Sequence, residues 1–237
     1  MSSHNHNPDL AHHFVDMDQQ HESAKLGVWL FLLTEILLFG GLFCFYAIYR
    51  SKQPEVFENM QYLLDWKLGG LNTVVLIGSS VTVALAIREI QLNRQKNCFI
   101  YLLITIILSF VFLVVKYFEY THKMHFGLLP GKFFNPDYAN IALNYFPGDP
   151  EKSTMVANAI ANSDNPYVFM SMYYLLTGLH GLHVIFGMGF LAWVAFKTSR
   201  GHFSRNYYAP IEMGGLYWHL VDLIWIFLFP LLYLIGE

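Results

Sequence analysis

The sequence predicts an all-α membrane protein, a polytopic bundle of five transmembrane helices, on three observations. Of its 237 residues, 55% are hydrophobic and only 13% are charged, about half the charge of a typical soluble domain. The mean hydropathy is positive. The formal charges also leave five long stretches almost free of them, each matching the roughly 20 residues needed to cross a hydrocarbon core of about 30 Å. Unpaired strand edges are not tolerated in lipid, so each stretch reads as a helix.

The first span, about 26–49, contains one charge, Glu35. The second, about 68–90, is uncharged from Leu68 to Ile87, and the third, about 97–120, continues through Lys116 to Tyr120. The fourth, about 166–196, has no formal charge, and the fifth, about 213–236, holds only Asp222. Together they make a single transmembrane domain over 26–237. Residues 1–25 are polar and carry His4, His6, His12, His13 and His21. They lack the basic start and apolar core of a secretory signal and read as a solvated, mobile tail. Cys44 and Cys98 have no metal or disulfide spacing and read as packing residues. The connection 121–165 holds the turn signals Leu129-Pro130-Gly131, Asn135-Pro136-Asp137 and Pro147-Gly148-Asp149-Pro150. It reads as a mostly irregular external cap with one short helix at Met155–Ala161. Phe133, Phe134, Tyr138, Tyr145 and Phe146 give that cap a means of packing.

With five spans the termini lie on opposite sides. Lys and Arg are densest in 88–96 (Arg88, Arg94, Lys96) and 197–212 (Lys197, Arg200, Arg205). That bias predicts a cytoplasmic N-terminus and an external C-terminus.

Glu35 and Asp222 each lie about nine residues into their spans, near the bilayer midplane at 1.5 Å per residue. A charge there costs about 2.5–3.5 kcal/mol on insertion scales, so both belong inside the bundle, either protonated or tightly hydrogen-bonded. His219 and Asp222 share a helical face, which lets them pair or reach one neighbour. Thr177, His180 and His183 repeat at steps of three, and the second span adds Asn72, Ser79, Ser80 and Thr82. Three chemistries fit these residues: interhelical hydrogen bonds, metal or haem ligation by the histidines, and a proton or lipid site around Glu35.

A family resemblance bears on that choice. Trp29-Leu30-Phe31-Leu32-Leu33-Thr34-Glu35 followed by Leu38-Phe39-Gly40-Gly41-Leu42-Phe43 resembles the buried-glutamate helix of subunit III of the haem-copper cytochrome c oxidases. Leu71-Asn72-Thr73 with Ser80-Val81-Thr82, then Glu119-Tyr120, His180-Gly181-Leu182-His183-Val184 and Tyr217-Trp218-His219-Leu220-Val221-Asp222-Leu223-Ile224-Trp225 are similar to further signatures of that family, in order and spread over all five spans.

The resemblance implies an auxiliary subunit of a proton-pumping terminal oxidase, with no catalytic residue and no metal of its own. Haem and copper then belong to partner subunits I and II. It implies seating beside subunit I, bound phospholipid in a cleft, and support of proton uptake. Glu35, Asn72, Glu119, His180, His183, His219 and Asp222 become buried polar or cleft residues, with His180 and His183 near Glu35. Lys197 becomes a lipid-headgroup candidate, since a lysine near a helix end can snorkel. A bacterial plasma membrane, membrane lipids as partners, a larger respiratory supercomplex and no nucleic acid complete the expectation.

Three departures stand out. The chain has five spans where mitochondrial-type members have seven, as in short bacterial forms in which subunit I supplies two helices. It also has Lys116 where the family often has Gln, and a longer 121–165 connection. Short forms occur in quinol oxidases too, leaving the electron donor open. An independent proton-coupled carrier using Glu35 and Asp222 is the alternative of another class.

Overall fold

The computed structural model describes residues 14–205 and 207–234. His4, His6, His12 and His13 and the end of the last expected span lie outside them. Among the described residues there are eight α-helices: α1 (Met17–Lys52), α2 (Pro54–Gln61), α3 (Trp66–Gln91), α4 (Gln95–His125), α5 (Tyr138–Asn144), α6 (Pro150–Asn162), α7 (Tyr167–Ser199) and α8 (Ala209–Tyr233). Five of them, α1, α3, α4, α7 and α8, are long and apolar enough to cross a membrane.

Local chemistry sets their ends. Asp16 caps α1 by accepting from the Gln19 amide at 2.7 Å, so the helix starts at Met17, inside the segment expected to be tail. Gln53 stops it because a residue before proline disfavours the α conformation, and Pro54 then opens α2. Asp65 caps α3 through the Lys67 amide at 2.9 Å. At the other end of α3, Asn93 takes φ 58° and the Arg94 amide donates back to Glu89 O at 2.8 Å. That left-handed turn satisfies the last carbonyls and reverses the chain directly into α4.

The 121–165 connection is more ordered than its turn signals suggest. Its first residues extend α4 to His125, and α5 and α6 fill much of the remainder; α6 replaces the shorter helix expected at Met155–Ala161. Asp137 and Asp149, read only as turn residues, cap α5 and α6 by accepting from the Asn140 and Lys152 amides at 3.1 and 2.9 Å. Gly127 permits the turn out of α4: at φ 72° a Cβ would collide with the Asn135 carbonyl. Tyr145 is buried and its hydroxyl donates to Leu63 O at 2.8 Å, tying the cap to the α2–α3 connection. Burial raises that hydroxyl's pKa well above its ordinary value. Phe133 and Tyr138 face outward rather than packing inward.

Helices α3, α4, α7 and α8 form the bundle proper, and α1 leans against α7 and α8. Only 11% of the most apolar window of α1 is buried within the chain, against 44% for α8. Gly187 allows α7 and α8 to approach closely, since a Cβ there would lie 2.8–2.9 Å from the rings of Tyr217 and Trp218. The core between the four helices includes Phe112, Trp218 and Trp225, all fully buried. Cys98 is buried, as a packing residue would be, whereas Cys44 is exposed.

Candidate functional site

The buried polar residues separate into three places. The first joins α1 to α7: His183 Nε2 lies 2.8 Å from Glu35 Oε2, with side chains 15% and 13% exposed. His183 Nδ1 donates to Leu179 O at 2.7 Å if it carries the proton, which leaves Nε2 as the acceptor from a protonated Glu35. A doubly protonated ring instead makes the contact an ion pair. Phe39 meets the imidazole edge-on at 5.2 Å, and Tyr217 of α8 donates to His183 O at 3.0 Å. Three helices therefore hold this carboxyl–imidazole pair at the half-buried seam beside α1.

His180, one turn away, does not join it. It is fully buried between Phe112 and Trp225, at ring separations of 5.6 and 5.1 Å, and neither ring nitrogen has a hydrogen-bond partner. Asn72 is likewise fully buried with its amide unpartnered.

The second place is a charged knot tying α4 to α7 and α8. Glu119 Oε2 accepts from Lys116 Nζ at 2.8 Å, while Oε1 accepts from Lys123 Nζ at 2.9 Å and from the hydroxyls of Tyr173 and Tyr233, each at 2.7 Å. Lys116 Nζ also donates to both tyrosine oxygens, at 3.2 and 3.0 Å. Two buried cations thus share one carboxylate. Aromatic faces take up part of the excess: Lys116 Nζ lies 5.1 Å from the centroids of Tyr173 and Trp225, and Lys123 Nζ lies 5.0 Å from Tyr173.

Sequence reasoning singled out Glu119 but missed Lys116, Lys123, Tyr173 and Tyr233 as its partners. The lysines sit three before and four after the glutamate, a spacing that places all three on one helical face. That signal was available, but Lys123 fell beyond the expected end of the span and counted as loop charge.

The third place is the outward groove between α3 and α8. His219 Nδ1 lies 2.6 Å from Ser80 Oγ, so the histidine reaches across to α3 rather than to Asp222. Asp222 is 3% exposed; neither carboxylate oxygen makes a hydrogen bond of ordinary geometry, and the Ser79 and Ser80 hydroxyls of α3 are its polar neighbours. Trp218 and Trp225 complete the α3–α8 contacts by donating to Ser79 Oγ and Thr73 Oγ1 at 2.9 and 3.1 Å. Lys197, in the last turn of α7, is half-buried with Nζ 4.9 Å above the Trp193 ring. Among the described residues no three His, Cys, Asp or Glu side chains are grouped so as to hold a metal ion.

Comparison with known proteins matches these features to a family. A family model described as "Cytochrome c oxidase subunit III" matches residues 11–139 and 150–237. The chain is 32% identical over 210 residues to cytochrome c oxidase subunit 3 of Synechocystis sp., covering 88% of this chain and 74% of that one. It is 29% identical over 224 residues to the Loxodonta africana protein of the same name, covering 91% and 71%. It is 25% identical over 230 residues to a probable quinol oxidase subunit 3 of Staphylococcus saprophyticus, covering 96% and 98%. The internal unmatched stretch, 140–149, covers most of α5 and the turn that leads into α6. All five long helices, and with them Glu35, Glu119, His183 and Asp222, lie within the match: the chain belongs to the cytochrome c oxidase subunit III family.

Proposed function

We propose that this chain is the auxiliary subunit III of a proton-pumping haem-copper terminal oxidase in a bacterial plasma membrane, with its N-terminus cytoplasmic and its C-terminus external. The match along all five long helices carries the reading. In this role the chain performs no redox step. It sits beside the haem-bearing subunit I and the copper-bearing subunit II, holds phospholipid along the half-buried seam at α1, and sustains proton uptake. The Glu35–His183 pair supports the seam assignment, because a carboxyl and an imidazole at 13% and 15% exposure put a polar contact at the partly open side of the bundle. Lys197 above Trp193 supports a lipid-phosphate contact at the end of α7. The exposed apolar side of α1 suits contact with lipid and neighbouring subunits, and a larger respiratory supercomplex is within its reach.

Purification from native membranes with a tag on this chain tests the reading. The expected result is a complex with a haem spectrum that consumes oxygen. Glu35→Gln leaves that spectrum and the initial turnover unchanged, and lowers at most lipid content or durability over repeated turnover. Complete loss of oxidase activity at time zero in the variant would rule out an auxiliary role.

A second reading, subunit III of a quinol oxidase, is favoured by one observation: the quinol oxidase relative is matched over almost its whole length. Comparing reduced cytochrome c with a quinol as electron donor to the purified complex decides between them.

A further inference from the structure

We infer that the cavity between the capping segment and the adjoining ends of α3 and α4 binds an amphiphilic anion, a molecule with one anionic headgroup, carboxylate or phosphate, and an acyl chain. Lys123 takes the headgroup.

The charges carry the inference. Lys116, Lys123 and Glu119 are 6%, 2% and 4% exposed, so the knot holds one more positive charge than negative inside the fold. Lys116 uses its three donors on Glu119, Tyr173 and Tyr233. Lys123 donates one hydrogen bond, to Glu119, out of the three that an ammonium can give. A buried cation short of acceptors and of counter-charge is costly. Asp65 also borders the cavity, but it is turned to the Lys67 amide as the cap of α3. Among the described residues, the ion pairs of both lysines are with Glu119 alone.

Lys123 borders a cavity of about 470 Å³, a size ordinary for small-molecule sites. Most of its remaining wall is apolar: Leu68 of α3, Phe118 of α4, and Tyr145, Phe146 and Pro147 of the capping segment. Phe118 is 65% exposed on the outer side of α4, which gives an acyl chain leaving the cavity an apolar surface to lie on. A simple inorganic anion would leave these walls uncovered, and a neutral lipid would leave the excess charge. An anionic head with an acyl chain answers both. Tyr145, Phe146 and Pro147 fall within 140–149, outside the family match, and α1 lends the cavity no residue. The site is therefore separate from the lipid seam beside Glu35.

The test uses the assembly purified in detergent through a tag on this chain, with cis-parinaric acid, a fluorescent long-chain carboxylate, as the probe. The wild type binds it saturably; oleate and phosphatidylglycerol compete, and neutral monoolein does not. Which of the two anions competes more strongly tells a free fatty acid from a phospholipid. Lys123→Met leaves Lys116 and Glu119 as a one-to-one pair and weakens binding by about tenfold or more, the loss of one hydrogen bond to a charged group. Thr121→Trp, at an exposed position on the cavity wall, abolishes saturable binding without touching the knot, and it decides alone if Lys123→Met fails to insert. Asp65→Asn keeps the helix cap and removes a like charge, so binding tightens about two- to fivefold. The inference is overturned if the wild type shows no saturable binding, if monoolein competes as well as oleate, or if Thr121→Trp and any inserted Lys123→Met bind like the wild type.

Discussion

Glu119 and Asp222 are carboxylates in the same helix bundle, 4% and 3% exposed, and the chain treats them in opposite ways. Glu119 accepts four hydrogen bonds, from two lysines and two tyrosines contributed by α4, α7 and α8. Asp222 accepts none. Both groups are withdrawn from water, so the difference lies in the partners each is given. The surroundings of Glu119 are complete within one chain, and the group can fasten the bundle before any assembly. Asp222 instead has the neutral hydroxyls of Ser79 and Ser80 on α3 for neighbours, at the edge of the groove between α3 and α8.

This contrast can be broken by substitution. The largest effect is expected for Glu119→Gln, which leaves two buried ammonium groups without a counter-charge. About 3–5 kcal/mol of stability is lost, read as a lower unfolding midpoint of the chain purified in detergent micelles. An unchanged midpoint would mean that the knot contributes nothing to the fold. Tyr233→Phe removes one of the two hydroxyl donors to Oε1 while keeping the ring beside Lys116, and costs about 1–2 kcal/mol in the same measurement. Asp222→Asn is the smallest, within about 0.5 kcal/mol in the isolated chain, because no internal hydrogen bond is removed. A loss there as large as that for Glu119→Gln would show that Asp222 has an internal partner after all and would erase the contrast.

The span count and span positions were legible in the sequence because membrane insertion is governed by local composition. A run of apolar residues reports its own helix, and all five long helices contain most of the stretches expected. The helix ends were less legible. Asp16, Asp137 and Asp149 act as caps through hydrogen bonds to amides three residues on, and such residues read equally well as loop or turn. Hence α1 begins well before Leu26, and the cap between α4 and α7 holds two helices rather than one.

Within the site, the sequence identified the ionisable residues but not their pairing. His180 and His183 look equivalent at i and i+3, yet the rotation between them sends one into the aromatic core and the other to Glu35. His219 and Asp222 share one helix face, which allows a pair or a common neighbour; α3 decides for the neighbour by bringing Ser80 to them. Composition and spacing by themselves determined that this is a five-span membrane protein with polar groups in the apolar layer, and a set of motifs spread over the spans pointed to its family. Only the packing of α1, α3, α4, α7 and α8 decided which of those groups are paired, which are sealed in the core and which face an open groove. Insertion depends on each segment separately, whereas hydrogen bonding depends on what a neighbouring helix brings within about 3 Å.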